Sequence, residues 1–274
     1  MRFHWTSSKM RWKDSFTVSL AVLATIQAIT EVTGLIELKP IEALPWWIKL
    51  LWVFILFSIL TIIVFVAKLL ISRKGIKLTI EHNEVRIKQA DIFQQDGLRL
   101  IPFNEYFDTQ VDDVIIAHET LNGKFIDDYV DDVNALQNVI CDAHKNNGIA
   151  SQQPNGKNKF PLGCIVKFKE YLLLAFTHFD NKNVAYLSHT DFEKCLIAMW
   201  QEIRRVYANK PIFIPLLGSG ITNFTDTPHK DNFSLAKCLL CTLKMSGVHL
   251  KQPITICLTK DTLNEINLYE LKSK

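Results

Sequence analysis

Pro211-Ile-Phe-Ile-Pro-Leu-Leu-Gly-Ser-Gly-Ile-Thr-Asn-Phe224 is the stretch on which the reading of this chain turns. Ile212 to Leu217 is apolar throughout, the composition of a strand covered on both faces, and it runs straight into Gly218-Ser219-Gly220. Glycines at the carboxyl end of a buried strand let the backbone turn and can aim successive N–H groups at one point, a nest that holds phosphate oxygens. In open α/β sheets that end of the strands is where ligands sit. A tight turn needs the same residue types, so the loop by itself leaves a structural and a binding reading open.

Working outward, from Ile76 onward short β-branched runs alternate with helical periods, without repeats or a long Gly/Ser/Pro linker, which predicts one α/β domain. Strands are expected at Glu84–Lys88, Leu98–Phe103, Val114–Ala117, Cys164–Lys169, Leu172–Thr177, Ile212–Leu217 and Ile254–Leu258. Helices are expected at Lys124–Lys145, Asp191–Ala208, Asn232–Ser246 and Asp261–Leu271. Ahead of the second, Thr190 and Glu193 have capping-box spacing, and its apolar stripe of Phe192, Leu196, Met199, Ile203 and Val206 reads as core. Asp127, Asp128, Asp131 and Asp132 pair at i and i+4 near a helix start, the pattern of a solvated face favoured by the macrodipole rather than of a metal cluster.

The N-terminal part differs in kind. Leu50 to Ala67 is uncharged and consists almost wholly of Leu, Ile, Phe and Val, long enough to span a hydrocarbon core. Ser15 to Thr30 is less apolar, diluted by Thr17, Ser19, Thr25, Gln27 and Thr30, which suits helix contact in lipid. Residues 1–75 are therefore expected to be a basic segment with a two-helix transmembrane hairpin (spans about 15–36 and 46–68), and residues 76–274 a soluble domain. Arg2, Lys9, Arg11 and Lys13 precede the first span and Lys68, Arg73, Lys74 and Lys77 follow the second, while Glu31, Glu37, Lys39 and Glu42 lie between them. The positive-inside rule puts both ends in the cytoplasm. Trp5, Trp12, Trp46 and Trp47 fall near the expected interfaces.

The mean hydropathy of +0.10 over 274 residues fits one domain plus such a segment, and the 48% hydrophobic content excludes wholesale disorder. Net charge is +3, but residues 1–75 carry +5 and the remainder −2, so no basic stripe for a nucleic-acid partner is expected. The six cysteines are scattered, and Cys238 and Cys241 lack a second pair, so neither a zinc site nor a disulfide framework is expected.

Two further segments keep company with the glycine loop. Thr120-Leu121-Asn122-Gly123-Lys124-Phe125 leads into a helix, whose N-terminus and Gly123 amide form a second point friendly to anions. Asp91 could accept hydrogen bonds from the amino group of a base, and Asn104, at the end of a strand, could hold a ribose hydroxyl; a turn former and a strand cap are the plain alternatives.

Together these residues resemble the macro domains that bind ADP-ribose. Ala90-Asp91-Ile92 is similar to that family's Gly-Asp-Ile start, Ile101 to Glu105 to its Val-Asn-Ala-Asn strand end, and Pro215 to Phe224 to its Pro-x-x-x-x-Gly-Ile-x-x-Phe loop. The resemblance implies an α/β fold, a three-layer macro-like domain with a mixed sheet, preceded here by the two-helix hairpin. It implies that Asp91 contacts the adenine amine, Ile92 the ring, Leu217, Gly218, Ser219, Gly220 and Ile221 the diphosphate, and Asn104 and Phe224 the distal ribose. Leu121, Asn122, Gly123 and Lys124 stand where the family has a glycine-rich first phosphate loop, and Ala90 replaces a glycine. Those departures, with Asn104-Glu105 at the strand end, favour binding over hydrolysis.

A hairpin fused to such a domain resembles the membrane-anchored macro-domain effectors (ThsA type) of Thoeris anti-phage defence. That likeness implies an inner-membrane protein with a cytoplasmic receptor for an ADP-ribose-derived nucleotide. It further implies a TIR-domain NAD-consuming enzyme as functional partner, and membrane disruption or growth arrest through a homo-oligomer. No catalytic residue, metal or cofactor besides the ligand is expected. A membrane-tethered ADP-ribosyl hydrolase is the alternative.

Overall fold

The computed structural model describes residues 12–13, 15–26, 45–73, 75–146, 158–180, 182–226, 231–266 and 268–272. Arg2, Trp5, Lys9, Arg11, Glu31, Glu37, Lys39, Glu42 and Lys74, on which part of the topology reading rests, lie outside the described residues. The chain divides into two compact units, Ile76–Ile266 and Met1–Gly75 with Asn267–Lys274. The division after Gly75 coincides with the change in composition, whereas the last eight residues fall with the N-terminal unit.

In the N-terminal unit α1 covers Ser15–Ile26 and α2 covers Trp46–Arg73. Among the described residues one helix, Trp46–Ala67 within α2, is long and apolar enough to cross a membrane: it has 22 residues, and its most apolar stretch has a mean hydropathy of 3.0. The described α1 is roughly 18 Å long at 1.5 Å per residue, short of a hydrocarbon core; residues 27–36 of the expected first span lie outside the described residues. A two-helix crossing is therefore not shown. The helices touch through Phe16 and Phe57, edge to face at 4.8 Å, and Trp12 stacks on Phe65 at 4.6 Å. Ser15 and Ser19, one turn apart, are buried, and Thr61 on α2 returns its hydroxyl to the Phe57 carbonyl at 2.8 Å.

The larger unit is a mixed sheet of nine strands: β1 Ile76–Ile80, β2 Asn83–Gln89, β3 Leu98–Asn104, β4 Ile165–Phe168, β5 Tyr171–Phe179, β6 Ala185–Leu187, β7 Ile212–Pro215, β8 Asn223–Phe224 and β9 Ile254–Leu258. Their order is β1-β2-β9-β7-β3-β5-β6-β8, with β4 on β5. The centre, β2-β9-β7-β3-β5, is parallel; β1, β4 and β6 pair antiparallel. Strands that lie inside a covered sheet must be apolar on both faces, and β9 is buried at every position.

Helices cover both faces, making three layers. On one face α3 (Leu121–Tyr129) and α4 (Val133–Asn146) bury Phe125, Ile126, Leu136 and Ile140 against Ile101, Phe103, Val166, Phe168 and Leu173. On the other face α5 (His189–Val206) buries Phe192, Cys195, Leu196, Met199, Trp200 and Ile203, and α6 (Asn232–Ser246) packs beside it. The Trp200 indole N–H, deep in this layer, donates to the Thr242 hydroxyl at 3.3 Å and so avoids an unpaired buried donor. The short α7 (Lys260–Glu265) follows β9, and α8 is Leu268–Lys272.

Four expectations need correction. Val114–Ala117 is a turn, because the Asp112 carboxylate accepts the N–H groups of Val114 and Ile115 at 2.9 and 2.7 Å and leaves only an isolated bridge, Val111 to Ile116. The helix expected over Lys124–Lys145 is broken at Val130, where Asp132 accepts from the Asn134 N–H and starts α4. α5 begins earlier than Thr190: Ser188 accepts from the Asp191 N–H at 3.0 Å and donates to its carboxylate. The last helix, expected over Asp261–Leu271, is two short ones, α7 and α8.

Candidate functional site

The parallel strands β3, β5, β7 and β9 all point their carboxyl ends at one cavity of about 510 Å³, within the usual range for small-molecule sites. Its rim carries the loop after β7, Leu216 to Thr222, and the segment Ile115 to Asn122 that enters α3; Thr259 and Thr262 of α7 close another side. Asn104 and Thr177 meet across β3 and β5 where the pairing register shifts, and that irregularity lets neighbouring Phe103 and Asn104 both line the cavity.

The two glycines of the loop play different parts. Gly218 has φ +84°, and a Cβ there would stand 3.2 Å from the Phe224 ring and 3.3 Å from Leu235. A Cβ on Gly220 would meet nothing within 4 Å. Gly218 thus makes the turn over packed side chains, and Gly220 leaves room in the lining. The Ser219 hydroxyl donates to the Leu216 carbonyl at 2.7 Å and pins the turn from within.

Of the residues expected at a ligand site, Asn104, Leu121, Asn122, Leu217, Gly218, Ser219, Gly220 and Ile221 come together on the lining. Asn104 is only 4% exposed, and its amide is engaged: Oδ1 accepts from the N–H groups of Tyr106 and Asp108, and Nδ2 donates to the Asp108 carboxylate at 2.8 Å. Ile221, by contrast, is 67% exposed at the lip.

Asp91, Ile92, Gly123, Lys124 and Phe224 do not line the cavity. Asp91 caps the 3-10 turn Ile92–Gln94 by accepting from the Phe93 N–H at 3.0 Å, while buried Ile92 packs with Cys257 and Leu121, which do line it. Gly123 is a packing glycine. Its N–H is taken by the Thr120 hydroxyl at 3.1 Å, and a Cβ would fall 2.3 Å from the Ala117 carbonyl oxygen. Lys124 is exposed on α3. Phe224 sits under the loop, tilted against His189 at 4.7 Å and edge-on to Phe192 at 5.5 Å. Asp226 secures this segment by accepting from the backbone N–H and Nδ1 of His189 at 2.9 and 2.7 Å.

The sequence reading did not single out Glu119, Thr177, Cys257, Thr259 and Thr262, nor Thr120 and Thr222 within the two loop segments it quoted, as ligand residues, and all of them line the cavity. Thr120 could have been found as the N-cap of α3, since it precedes the helix start by one position. The others come from distant segments and have no local signature. Burial pushes the Cys257 thiol up to about 12, so it lines the wall as a neutral, apolar group.

A cluster of charges lies beside the cavity. His178, between Thr177 and Phe179 on β5, does not line the cavity, and its Nδ1 pairs with Glu105 at 2.5 Å. Lys159 reaches the same carboxylate oxygen at 2.9 Å. Burial works to raise the Glu105 carboxyl, but the hydrogen bonds from His178 and Lys159 outweigh it and hold it below the usual range. Elsewhere, the carboxylate of Asp127 pairs with His118 at 2.6 Å and raises that imidazole, and Asp131 bonds Lys169 at 2.8 Å. Among the described residues no group of three or more His, Cys, Asp or Glu could hold a metal ion.

Comparison with known proteins shows the family to which the chain belongs. A family profile described as "Thoeris protein ThsA, Macro domain" matches residues 85–259. A curated relative, Thoeris protein ThsA of Bacillus amyloliquefaciens (strain Y2), is 37% identical over 267 residues, covering 93% of this chain and 87% of the relative. Among solved structures, a mutant macrodomain of Oceanobacillus iheyensis with ADPR is similar at TM-score 0.47 and 14% identity, over 73% of this chain and 100% of that one. The same organism's macrodomain with MES bound is similar at TM-score 0.47 and 14% identity, over 73% and 95% of the two chains. The profile match across more than half of the sequence and the 37% identical relative establish that this chain belongs to the ThsA family of Thoeris defence proteins, and the cavity lies in its macro domain.

Proposed function

We propose that the cavity is the receptor site for an ADP-ribose-derived nucleotide, and that the chain is a membrane-bound effector of anti-phage defence. The observation that carries the reading is the loop Leu217 to Ile221 set on the lining at the carboxyl ends of four parallel strands, where backbone donors can meet a diphosphate. Leu121 and Cys257, backed by buried Ile92, supply an apolar end for a base, and Asn104, Thr177 and Thr222 a polar end for a ribose. In this reading α2 anchors the protein in the inner membrane, α1 completes a hairpin with both termini cytoplasmic, and a TIR-domain enzyme that consumes NAD makes the signal. Occupancy drives homo-oligomers that disrupt the membrane or arrest growth.

Binding is proposed without turnover. The turn at Asn104 uses its Oδ1 and one of its two amide N–H groups, the Cys257 thiol is held neutral by burial, and the Glu105–His178 pair does not line the cavity. Titration of the full chain in detergent micelles with ADP-ribose tests the site. Saturable binding that disappears in Gly220→Glu is expected, and a folded protein that binds no ADP-ribose derivative would overturn the reading. Mass spectrometry of small molecules co-purified from cells that also express an NAD-consuming TIR enzyme would then identify the signal.

A further inference from the structure

The charge of the lining is unusual for a site that takes a diphosphate. Among the described residues that form the cavity there is no Lys, Arg or His, and the one acidic residue is Glu119. Everything else polar is a hydroxyl, the amides of Asn104 and Asn122, or backbone. Glu119 lines the cavity and directly precedes Thr120, the N-cap of α3, which puts an acidic residue beside the positive end of that helix. The helix terminus is thus already partly offset by a side chain, and its Gly123 N–H is taken by Thr120. Neutral donors can stabilise the two charges of a diphosphate, but they give no reserve for more, and Glu119 adds repulsion.

We propose that Glu119 is a specificity-determining residue that sets a ceiling on ligand charge. The site admits nucleotides whose charge is that of the diphosphate alone, and rejects the same nucleotide carrying a phosphomonoester. The inference rests on the nucleotide reading of the cavity and refines it. A phosphomonoester adds about 1.5 to 2 negative charges at neutral pH. A like charge brought to about 4 Å from that carboxylate would, even at the dielectric of water, weaken binding roughly fivefold. Because Glu119 is exposed, the effect is screened by salt and should fade as the Debye length shrinks from about 8 Å at physiological ionic strength to about 3 Å at 1 M.

The test is titration of the full chain in micelles with ADP-ribose and with ADP-ribose bearing a phosphomonoester on the ribose that lacks the base. The wild type should bind the second probe at least roughly fivefold more weakly. Glu119→Gln should narrow that ratio, Glu119→Lys should narrow it further, and 1 M salt should narrow it in the wild type but not in Glu119→Gln. These changes belong to charge and not to folding, since ADP-ribose itself reports an intact site in every variant. Equal binding of both probes by the wild type, or an unchanged ratio in Glu119→Gln, would overturn the charge ceiling while leaving the nucleotide site standing. Failure of the wild type to bind either probe would remove both.

Discussion

At the scale of single residues, the loop after β7 contains two glycines that only the packing tells apart. Gly218 occupies left-handed backbone over the Phe224 ring, so Gly218→Ala should destabilise the domain by about 1 to 2 kcal/mol in chemical unfolding. Gly220→Ala, whose new methyl meets nothing, should stay within about 0.5 kcal/mol of the wild type. Equal losses at the two positions would contradict this division of roles. The sequence motif presents both glycines alike, because what a Cβ would meet depends on α6 and on Phe224 folding back beneath the loop. The same limit applies to Phe224 and Gly123, legible as loop residues but not as packing ones. Glu105 gives a residue-scale expectation for pH. Its carboxyl is lower in the folded state than its ordinary value of 4.5, so its contribution is fully present above about pH 4.5 and is lost as pH falls through the folded value. Glu105→Gln should cost about 2 kcal/mol at neutral pH, by leaving His178 and Lys159 without their carboxylate, and should flatten the acid limb of the stability profile.

At the scale of elements, success and failure of the sequence reading follow the capping chemistry. α6 was legible at both ends: Asp231 accepts from Phe233 and Ser234 at its start, and Gly247 ends it at φ +64°. β9 was legible because five consecutive apolar or β-branched residues in a covered sheet admit few other readings. Where an aspartate intervened, periodicity misled. Asp112 folds Val114 to Ala117 into a turn, and Asp132 restarts the helix that the pattern ran through. The start of α5 shows how local such control is, since Ser188, two residues before Thr190, exchanges hydrogen bonds with Asp191. Ser188→Ala should therefore lower stability by about 1 kcal/mol, whereas Thr190→Ala should leave it nearly unchanged. Thermal denaturation of the two variants side by side distinguishes the caps.

At the scale of the whole molecule, the sequence changes character after Gly75, where apolar runs of membrane length give way to alternating α/β patterns with different periodicities, while the compact units also set Asn267–Lys274 apart from the larger one. It could not show which distant segments share a cavity wall, since Cys257, Thr177 and Thr222 converge only through sheet order. That order makes the Ile76–Ile266 unit self-contained: its sheet is covered on both faces by its own helices, and every residue lining the cavity belongs to it. A protein consisting of residues 76–266 should consequently fold by itself, remain in the supernatant after ultracentrifugation, and keep the cavity proposed to bind the nucleotide. If it does, mass action fixes the size of the response to ligand. A ligand at about 100 times its dissociation constant stabilises the native state by about 2.7 kcal/mol. For a domain of roughly 190 residues that corresponds to a rise in melting temperature of about 5 to 10 °C. Gly220→Glu should abolish the rise while leaving the melting temperature without ligand close to wild type, since nothing packs where its side chain begins. A unit that unfolds on isolation would show that the sheet layers are insufficient alone; a stable unit with no ligand-dependent shift would leave the fold intact and remove the receptor reading.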